Sequence, residues 1–335
     1  MSMKIEMKKF SGNPILMINP TKEWESKAVF NAGVYYEGGL FHMLYRAIGE
    51  YDEYISRLGY ATSSDGENFQ RMSNDPVFIP EKDFERWGCE DPRIMKVEGE
   101  IFVTYVVLSR SAKAGAGLIR TALARTKDFR SFERLGMITP DIAIDKDTFL
   151  FPRKINGRYA MLHRPHNWIR KDIRQEKGKT FVMVDGVEVK WNLPELPKMF
   201  PEKPSIWLAY SDDMIHWGNH QVIMEPKFDW DNCKIGGGCP PIETKTGWLS
   251  INHGVEKIGK KHIYRGSVAL LDLDDPSRVL WRPKEPFLAP EFDYEIEGDV
   301  PHVVFPEGAA FVGDELFVYY GGGDKCVNLA RGRIR

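Results

Sequence analysis

Residues 31–47, NAGVYYEGGLFHMLYRA, read as two short strands around a glycine turn, the second an apolar and aromatic run that ends near an arginine. Glycine supplies the positive φ that a tight hairpin turn needs. One hairpin decides little, but the unit recurs. EDPRIMKVEGEIFVTYVV starts at Glu90, FPRKINGRYAMLHRP at Phe151, CPPIETKTGWLSINHG at Cys239 and FPEGAAFVGDELFVYYGG at Phe305, with turn glycines at Gly39, Gly99, Gly157, Gly247 and Gly313. A second phrase follows each hairpin: GYATSSDGENF, TALARTKDFRSF, WLAYSDDMIHW, VALLDLDDPSRVLW and VNLARGRI.

Markers in that second phrase (Tyr60, Ala122, Leu208, Val268, Val327) are separated by 62, 86, 60 and 59 residues. Removing an insertion of roughly 25 residues from the second gap leaves a period of about 60, a four-stranded propeller blade with long loops. No stretch keeps a 3.6-residue apolar period, and 30 Gly and 21 Pro punctuate the whole chain as turn residues. The expected fold is therefore all-β, a five-bladed β-propeller in a single domain over residues 1–335. The last phrase, VNLARGRI, would pair with N-terminal residues to close the ring. A pair of β-sandwiches is the alternative, but it leaves five similar units unexplained. The insertion covers about 168–204, has hairpin character at MVDGVEV, and reads as a lid, an oligomer contact or a neutral excursion.

With 46 basic and 48 acidic residues the net charge is -2, which argues against the broad basic surface that nucleic acids or anionic membranes attract. A small neutral or locally held anionic ligand fits better, and a homo-oligomer is compatible with the composition. The start lacks a signal-peptide core and no run of about 18 apolar residues occurs, so a cytoplasmic protein is expected. The four cysteines form no C-x-x-C pair and read as reduced thiols.

In a propeller the innermost strands line a central channel, so residues at their starts converge at one end of the axis. Asn31, Glu90, Asp91, Arg153, Lys234 and Glu307 fall there. Asp91 is the candidate general acid: enclosure near Trp87 would raise its pKa so that it keeps a proton near neutrality. The competing reading is a salt bridge from Asp91 or Glu90 to Arg93. Arg46, Arg153, Arg164, Lys234 and His253 combine planar forks with point charges, a set suited to a small oxyanion such as phosphate. Gly236–Gly238 would let backbone approach a ligand closely, although the run lacks the order of a P-loop. No second ligand stands at metal-binding spacing from His253, so no metal is expected.

These residues resemble glycoside hydrolase family 130, the inverting β-mannoside phosphorylases and related β-mannosidases. The matching segments are NAGV with Arg46, CEDPRI, LFPRKINGRYAMLHRP, DDMIHWGNH, KIGGGCPPIETKTGWLSINHG, VVFPEGAAF and YYGGGD, in the family's order over nearly the whole chain. The resemblance implies a five-bladed propeller with Asp91 as general acid, acting in some members through the mannose 3-hydroxyl. It implies that Asn31, Arg46 and Asp324 bind the mannosyl unit, and that Lys234 and His253, with Arg153 and Arg164, hold phosphate. Glu90 is grouped with the sugar-binding set. The chain departs from the family pattern at Glu307, whose carboxylate would contact the acceptor sugar or activate water.

The expected reaction is inverting, reversible phosphorolysis of a β-mannoside to α-mannose 1-phosphate, a glycosyltransferase-type activity with phosphate as co-substrate and no cofactor. An inverting hydrolase needs a second carboxylate about 6.5–9.5 Å from the acid to activate water, whereas phosphate needs only cations to position it. The alternatives are an inverting β-mannosidase using Glu307 as base and a non-catalytic glycan-binding propeller.

Overall fold

A computed structural model describes residues 5–110 and 119–334. The described residues form five principal antiparallel sheets and one small three-stranded sheet, with a single four-residue α-helix at Asp293–Ile296. Sheet I comprises Ala28–Glu37, Leu40–Ile48, Arg57–Ser63 and Gln70–Arg71. Sheet II comprises Cys89–Val97, Glu100–Leu108, Ile119–Thr126 and Phe132–Met137. Sheet III comprises Asp145–Leu150, Tyr159–Pro165, Ile206–Ser211 and Trp217–Met224. Sheet IV is built on Lys234–Gly237, Gly247–Ile258, Lys261–Leu271 and Val279–Trp281. Its first strand stops before Pro240-Pro241, which supply no N–H to the ladder, and pairing resumes at Ile242–Thr244. Sheet V comprises Val304–Val312, Glu315–Gly322 and Cys326–Ile334. Its fourth strand is the N-terminal Ile5–Lys9, paired with Ala330–Ile334, so the expected joining of the two chain ends is present.

The first strand of sheet I touches the first strands of sheets II and V, that of sheet III touches those of II and IV, and sheet IV packs on the first strand of V. Apolar side chains fill each seam. Val34, Phe41, Phe317 and Tyr319 pack sheet I on V, and Leu249, Ile251, Val304 and Val318 pack IV on V.

A second repeated device was not read from the sequence. One-turn helices at Glu23–Glu25, Asp83–Glu85, Asp229–Asp231 and Asp293–Ile296 precede the first strands of sheets I, II, IV and V, and each carries a fully buried carboxylate. Glu25 accepts from Tyr45 Oη at 3.0 Å and Arg71 Nε at 2.9 Å. Glu85 accepts from Tyr105 Oη at 2.5 Å and Arg134 Nε at 2.9 Å. Glu295 accepts from Tyr320 Oη at 2.8 Å and Lys9 Nζ at 2.7 Å, and Asp231 pairs with Arg282. A buried carboxylate is tolerable only when paired and hydrogen-bonded. These struts tie the linker to the outer strand of the sheet that follows it.

The insertion is an ordered unit rather than an open loop. Ile173–Glu176, Lys179–Val184 and Val187–Lys190 form the small sheet, with Asp185 and Gly186 at positive φ in the expected hairpin turn. Its apolar side packs Trp168, Val182 and Trp191 against Ile142 and Trp207.

Candidate active site

The first strands of sheets I, II, III and V each break register by one irregularity: at Asn31, between Glu90 and Arg93, between Lys146 and Phe149, and at Glu307. A bulge re-aims the side chain it carries. Asn31, Asp91 and Asp147 take positive φ of 45°, 49° and 58°, a region that Asn and Asp enter more readily than other side-chain-bearing residues. The same position of the repeat thus delivers an amide and two carboxylates toward one region. Arg46, Arg164 and His253 occupy a matching position on the second strands, opposite Phe30, Lys146 and Gly236.

One half of the site is built on Arg46. Its guanidinium donates through Nη1 to Asp91 Oδ1 at 3.0 Å, through Nη2 to Glu90 Oε1 at 2.6 Å and through Nε to Ser56 Oγ at 2.8 Å. Asn31 Nδ2 donates to the same Asp91 oxygen at 3.0 Å. Burial pushes the Asp91 carboxyl up, but Arg46, Lys146, Arg93 and Asn31 together outweigh it and hold Asp91 below its ordinary value. Glu90 goes the other way: burial, with Asp91 adding repulsion, lifts it above its ordinary value against the pull of Arg46. The expectation that Asp91 keeps its own proton is therefore corrected; in the ligand-free pair Asp91 is the ionised partner. Asp324, at φ 50°, lies close enough to feel Arg46, and burial raises its pKa to about 7.

The other half is cationic. Arg164 donates through Nε to Asp147 Oδ2 at 2.7 Å, while its Nη1 is buried with no hydrogen-bond partner. His253 Nε2 lies 3.6 Å from Asp147 Oδ2, both ring nitrogens lack a hydrogen-bond partner, and burial lowers its pKa to about 3. Burial likewise drives the Lys234 ammonium down to about 7, with Arg164 and Lys146 adding repulsion. Burial raises Asp147, but Arg164, His253, Arg93 and Lys146 reverse that and hold it well below the carboxylate range. Lys146 and Lys234 both line a cavity of about 720 Å³ between sheets III and IV.

Arg93 joins the halves, though not as the sequence suggested. Arg46 takes the two carboxylates, and Arg93 donates instead to the Asp91 carbonyl at 3.0 Å and the Gly238 carbonyl at 2.8 Å. Its Nη2 lies 3.1 Å from Glu307 Oε1 and 3.6 Å from Asp147 Oδ1. Glu307 is fully buried behind it, and burial pushes that carboxyl well above its ordinary value despite Arg93.

The structure brings Asn31, Arg46, Glu90, Asp91, Asp324, Arg164, Lys234 and His253 into these halves and leaves Arg153 outside. Arg153 is exposed, forks onto Glu243 at 2.8 and 2.9 Å and lies over the Trp248 ring. The first strand of sheet III runs Asp145–Leu150 rather than starting near Phe151, which puts Arg153 in the turn region. Lys146 and Asp147 were missed for that reason; DKD ahead of TFLF matches the polar starts NAG and EDP and was the available signal. The three glycines serve close packing. A Cβ on Gly236 would sit 2.2 Å from Asp147 Oδ2, and one on Gly238 would sit 2.8 Å from the Pro306 carbonyl, so the run makes room for neighbouring strands.

The family model described as beta-1,4-mannooligosaccharide phosphorylase matches residues 6–202 and 196–335. A 1,2-beta-oligomannan phosphorylase of Thermoanaerobacter sp. (strain X514) is 39% identical over 332 residues, covering 97% of each chain. A beta-1,2-mannobiose phosphorylase of the same organism is 37% identical, covering 96% of this chain and 95% of that protein. The solved beta-1,2-mannobiose phosphorylase of Listeria innocua, in complex with beta-1,2-mannobiose, superposes with a TM-score of 0.76 at 26% identity over 98% of this chain and 97% of that one. The chain belongs to glycoside hydrolase family 130.

Proposed function

We propose that the five sheets are the blades of a single-domain β-propeller and that its site carries out inverting phosphorolysis of β-mannosides, with β-1,2-linked mannosides as the preferred substrates. The linkage rests on the two Thermoanaerobacter relatives, both named for β-1,2 substrates. In this reading Asn31, Arg46, Glu90 and Asp324 hold the terminal mannosyl unit, and Arg164, Lys234, His253 and Lys146 hold phosphate. Lys146 takes the place first given to Arg153.

The observation that carries the reading is the state of the carboxylates in the cationic half. Asp147 is ion-paired with Arg164, and Glu307 lies fully buried beside Arg93 with its carboxyl pushed well above its ordinary value by burial, so it keeps its proton and neither group is a ready base for water. The buried donors of Arg164 and His253 that lack partners are what an oxyanion would satisfy. Phosphate is itself the nucleophile: its oxygen attacks the anomeric carbon, the bond to the leaving oxygen breaks, and the proton routed from Asp91 neutralises that oxygen. The products are α-mannose 1-phosphate and the shortened acceptor. Asp91 is ionised before ligands bind, and the negative charge of phosphate nearby raises its pKa, so arrival of the nucleophile helps load the acid. A charged product retained inside the cell fits a cytoplasmic enzyme.

The test is incubation with β-1,2- and β-1,4-mannobiose, with and without inorganic phosphate, following mannose and mannose 1-phosphate separately. Phosphate-dependent mannose 1-phosphate from the β-1,2 substrate is the expected result. Free mannose regardless of phosphate would return Glu307 to the role of base, and no turnover would leave a glycan-binding propeller.

A further inference from the structure

The large cavity is lined from two sources. Lys146 and Lys234 come from the first strands of sheets III and IV, whereas Lys171 and Lys203 come from the two ends of the insertion. Among the described residues none of these four ammonium groups has an ion-pair or hydrogen-bond partner, although the chain as a whole is close to neutral. The acidic groups on the same wall offset this only in part. Glu202 is paired with Arg170 at 2.6 Å, which leaves Asp172 and Asp145, the latter hydrogen-bonded to His163 and the Arg164 N–H, against the four lysines.

The insertion is fastened so that its lysines keep this position. Asn167 accepts from the Ile144 N–H at 2.9 Å and donates to the Ile142 and Met183 carbonyls at 3.0 and 2.8 Å. At the other end the Pro204 carbonyl accepts from the Ile235 N–H at 3.1 Å, setting Lys203–Pro204 directly beside the strand that carries Lys234. Between these ends Trp168 and Trp191 of the insertion pack on Trp207 of sheet III and hold the unit in place. Like charges in a cleft with low-dielectric walls focus their field and raise the local concentration of an oppositely charged solute.

We propose that the insertion supplies an approach lane for inorganic phosphate, in which exposed Lys171 and Lys203 capture the anion and pass it inward to Lys146 and Lys234. This deepens the phosphorylase reading and rests on it for the identity of the anion. The lane admits a small oxyanion from the insertion side, separate from the Arg46 half where the mannoside is held. It assigns the insertion to nucleophile supply rather than to acceptor recognition.

The test is the double variant Lys171→Gln/Lys203→Gln, beside a control of equal charge loss, Lys127→Gln/Lys245→Gln, at exposed sites on sheets II and IV. At low ionic strength the lane variant is expected to lose about tenfold in kcat/KM for phosphate. KM for the mannoside should hold, and the deficit should shrink in about 0.5 M salt as screening shortens the field. The control should behave as wild type. A raised KM for the mannoside with phosphate unchanged would overturn the proposal and make the wall an acceptor subsite, and no change in either constant would overturn it outright. Calorimetric titration of both proteins with inorganic phosphate separates this from the parent reading. Weaker binding to the lane variant supports the lane even if mannosides are not phosphorolysed, and equal binding sinks it even if they are.

Discussion

Arg46 Nη1 lies 3.0 Å from Asp91 Oδ1, and this contact, joined by Lys146, Arg93 and Asn31, outweighs burial and holds the Asp91 carboxyl below its ordinary value. Asp91 has a lower pKa folded than unfolded. The stability it contributes is therefore complete above the unfolded value of about 3.9 and is lost as pH falls through the folded value. Replacing Arg46 by Gln removes the main opposition to burial and lifts the Asp91 pKa above about 3.9, so the loss of Tm relative to wild type should be greatest near pH 7 and narrow toward pH 4 as the variant's Asp91 takes up a proton. A constant deficit across that range would show that the pair does not set the charge of Asp91.

Asp91→Asn removes the proton donor while keeping the volume and an acceptor for Arg46. Mannose 1-phosphate formation should fall by about 10²- to 10⁴-fold, the usual contribution of a positioned acid. Binding of the β-mannoside, read by calorimetry, should stay within a few-fold of wild type. Loss of binding in step with turnover would make Asp91 a sugar ligand rather than the acid.

Gly236→Ala places a methyl 2.2 Å from Asp147 Oδ2 and 2.5 Å from His253 Cε1, so these two buried side chains must shift to admit it. The displaced pair belongs to the cationic half alone. Phosphate KM should rise about tenfold or more, on the order of the 1–3 kcal/mol that overpacking costs, while mannoside KM changes little. Equal shifts in both constants would mean that the two halves move together.

Glu85 is fully buried between Tyr105 and Arg134, six residues before Asp91 but bonded to the outer strands of its sheet, in a strut repeated in four of the five sheets. Removing one partner of a buried pair leaves the other unsatisfied, at about 3–5 kcal/mol. Glu85→Ala should lower the melting temperature by several degrees and leave KM for both substrates unchanged in the protein that remains folded. A Tm within one degree of wild type would show the strut to be dispensable.

The repeat made most of the fold legible, because hairpin glycines and apolar runs are local signals that recur at near-equal spacing. The joining of the chain ends followed from the same count. What stayed hidden depended on register. Arg153 and Lys146 are seven residues apart in one segment, and only the observed start of the strand at Asp145 shows which of them faces the site. The direction of the Asp91 shift was hidden for a related reason: Arg46 and Asn31 come from another sheet, and no spacing within EDPR announces them. The struts were written openly as EWE, DFE, DWD and DYE, but a buried carboxylate looks like a solvated one until its tyrosine and arginine are placed.

Lys234 couples the cationic half to pH. Burial, with Arg164 and Lys146 adding repulsion, lowers its pKa to about 7, so the free enzyme loses this charge as pH rises through neutrality. Only the ammonium form attracts phosphate, and bound phosphate in turn favours that form. KM for phosphate should therefore be lowest below pH 7 and climb between pH 7 and 8.5. Lys234→Arg keeps its charge throughout this range because the guanidinium does not titrate there. In that variant the rise in phosphate KM above pH 7 should flatten, whatever its absolute value. If the variant and wild type show the same slope, the titrating group is the phosphate itself or another residue, and Lys234 is not the source of the pH dependence.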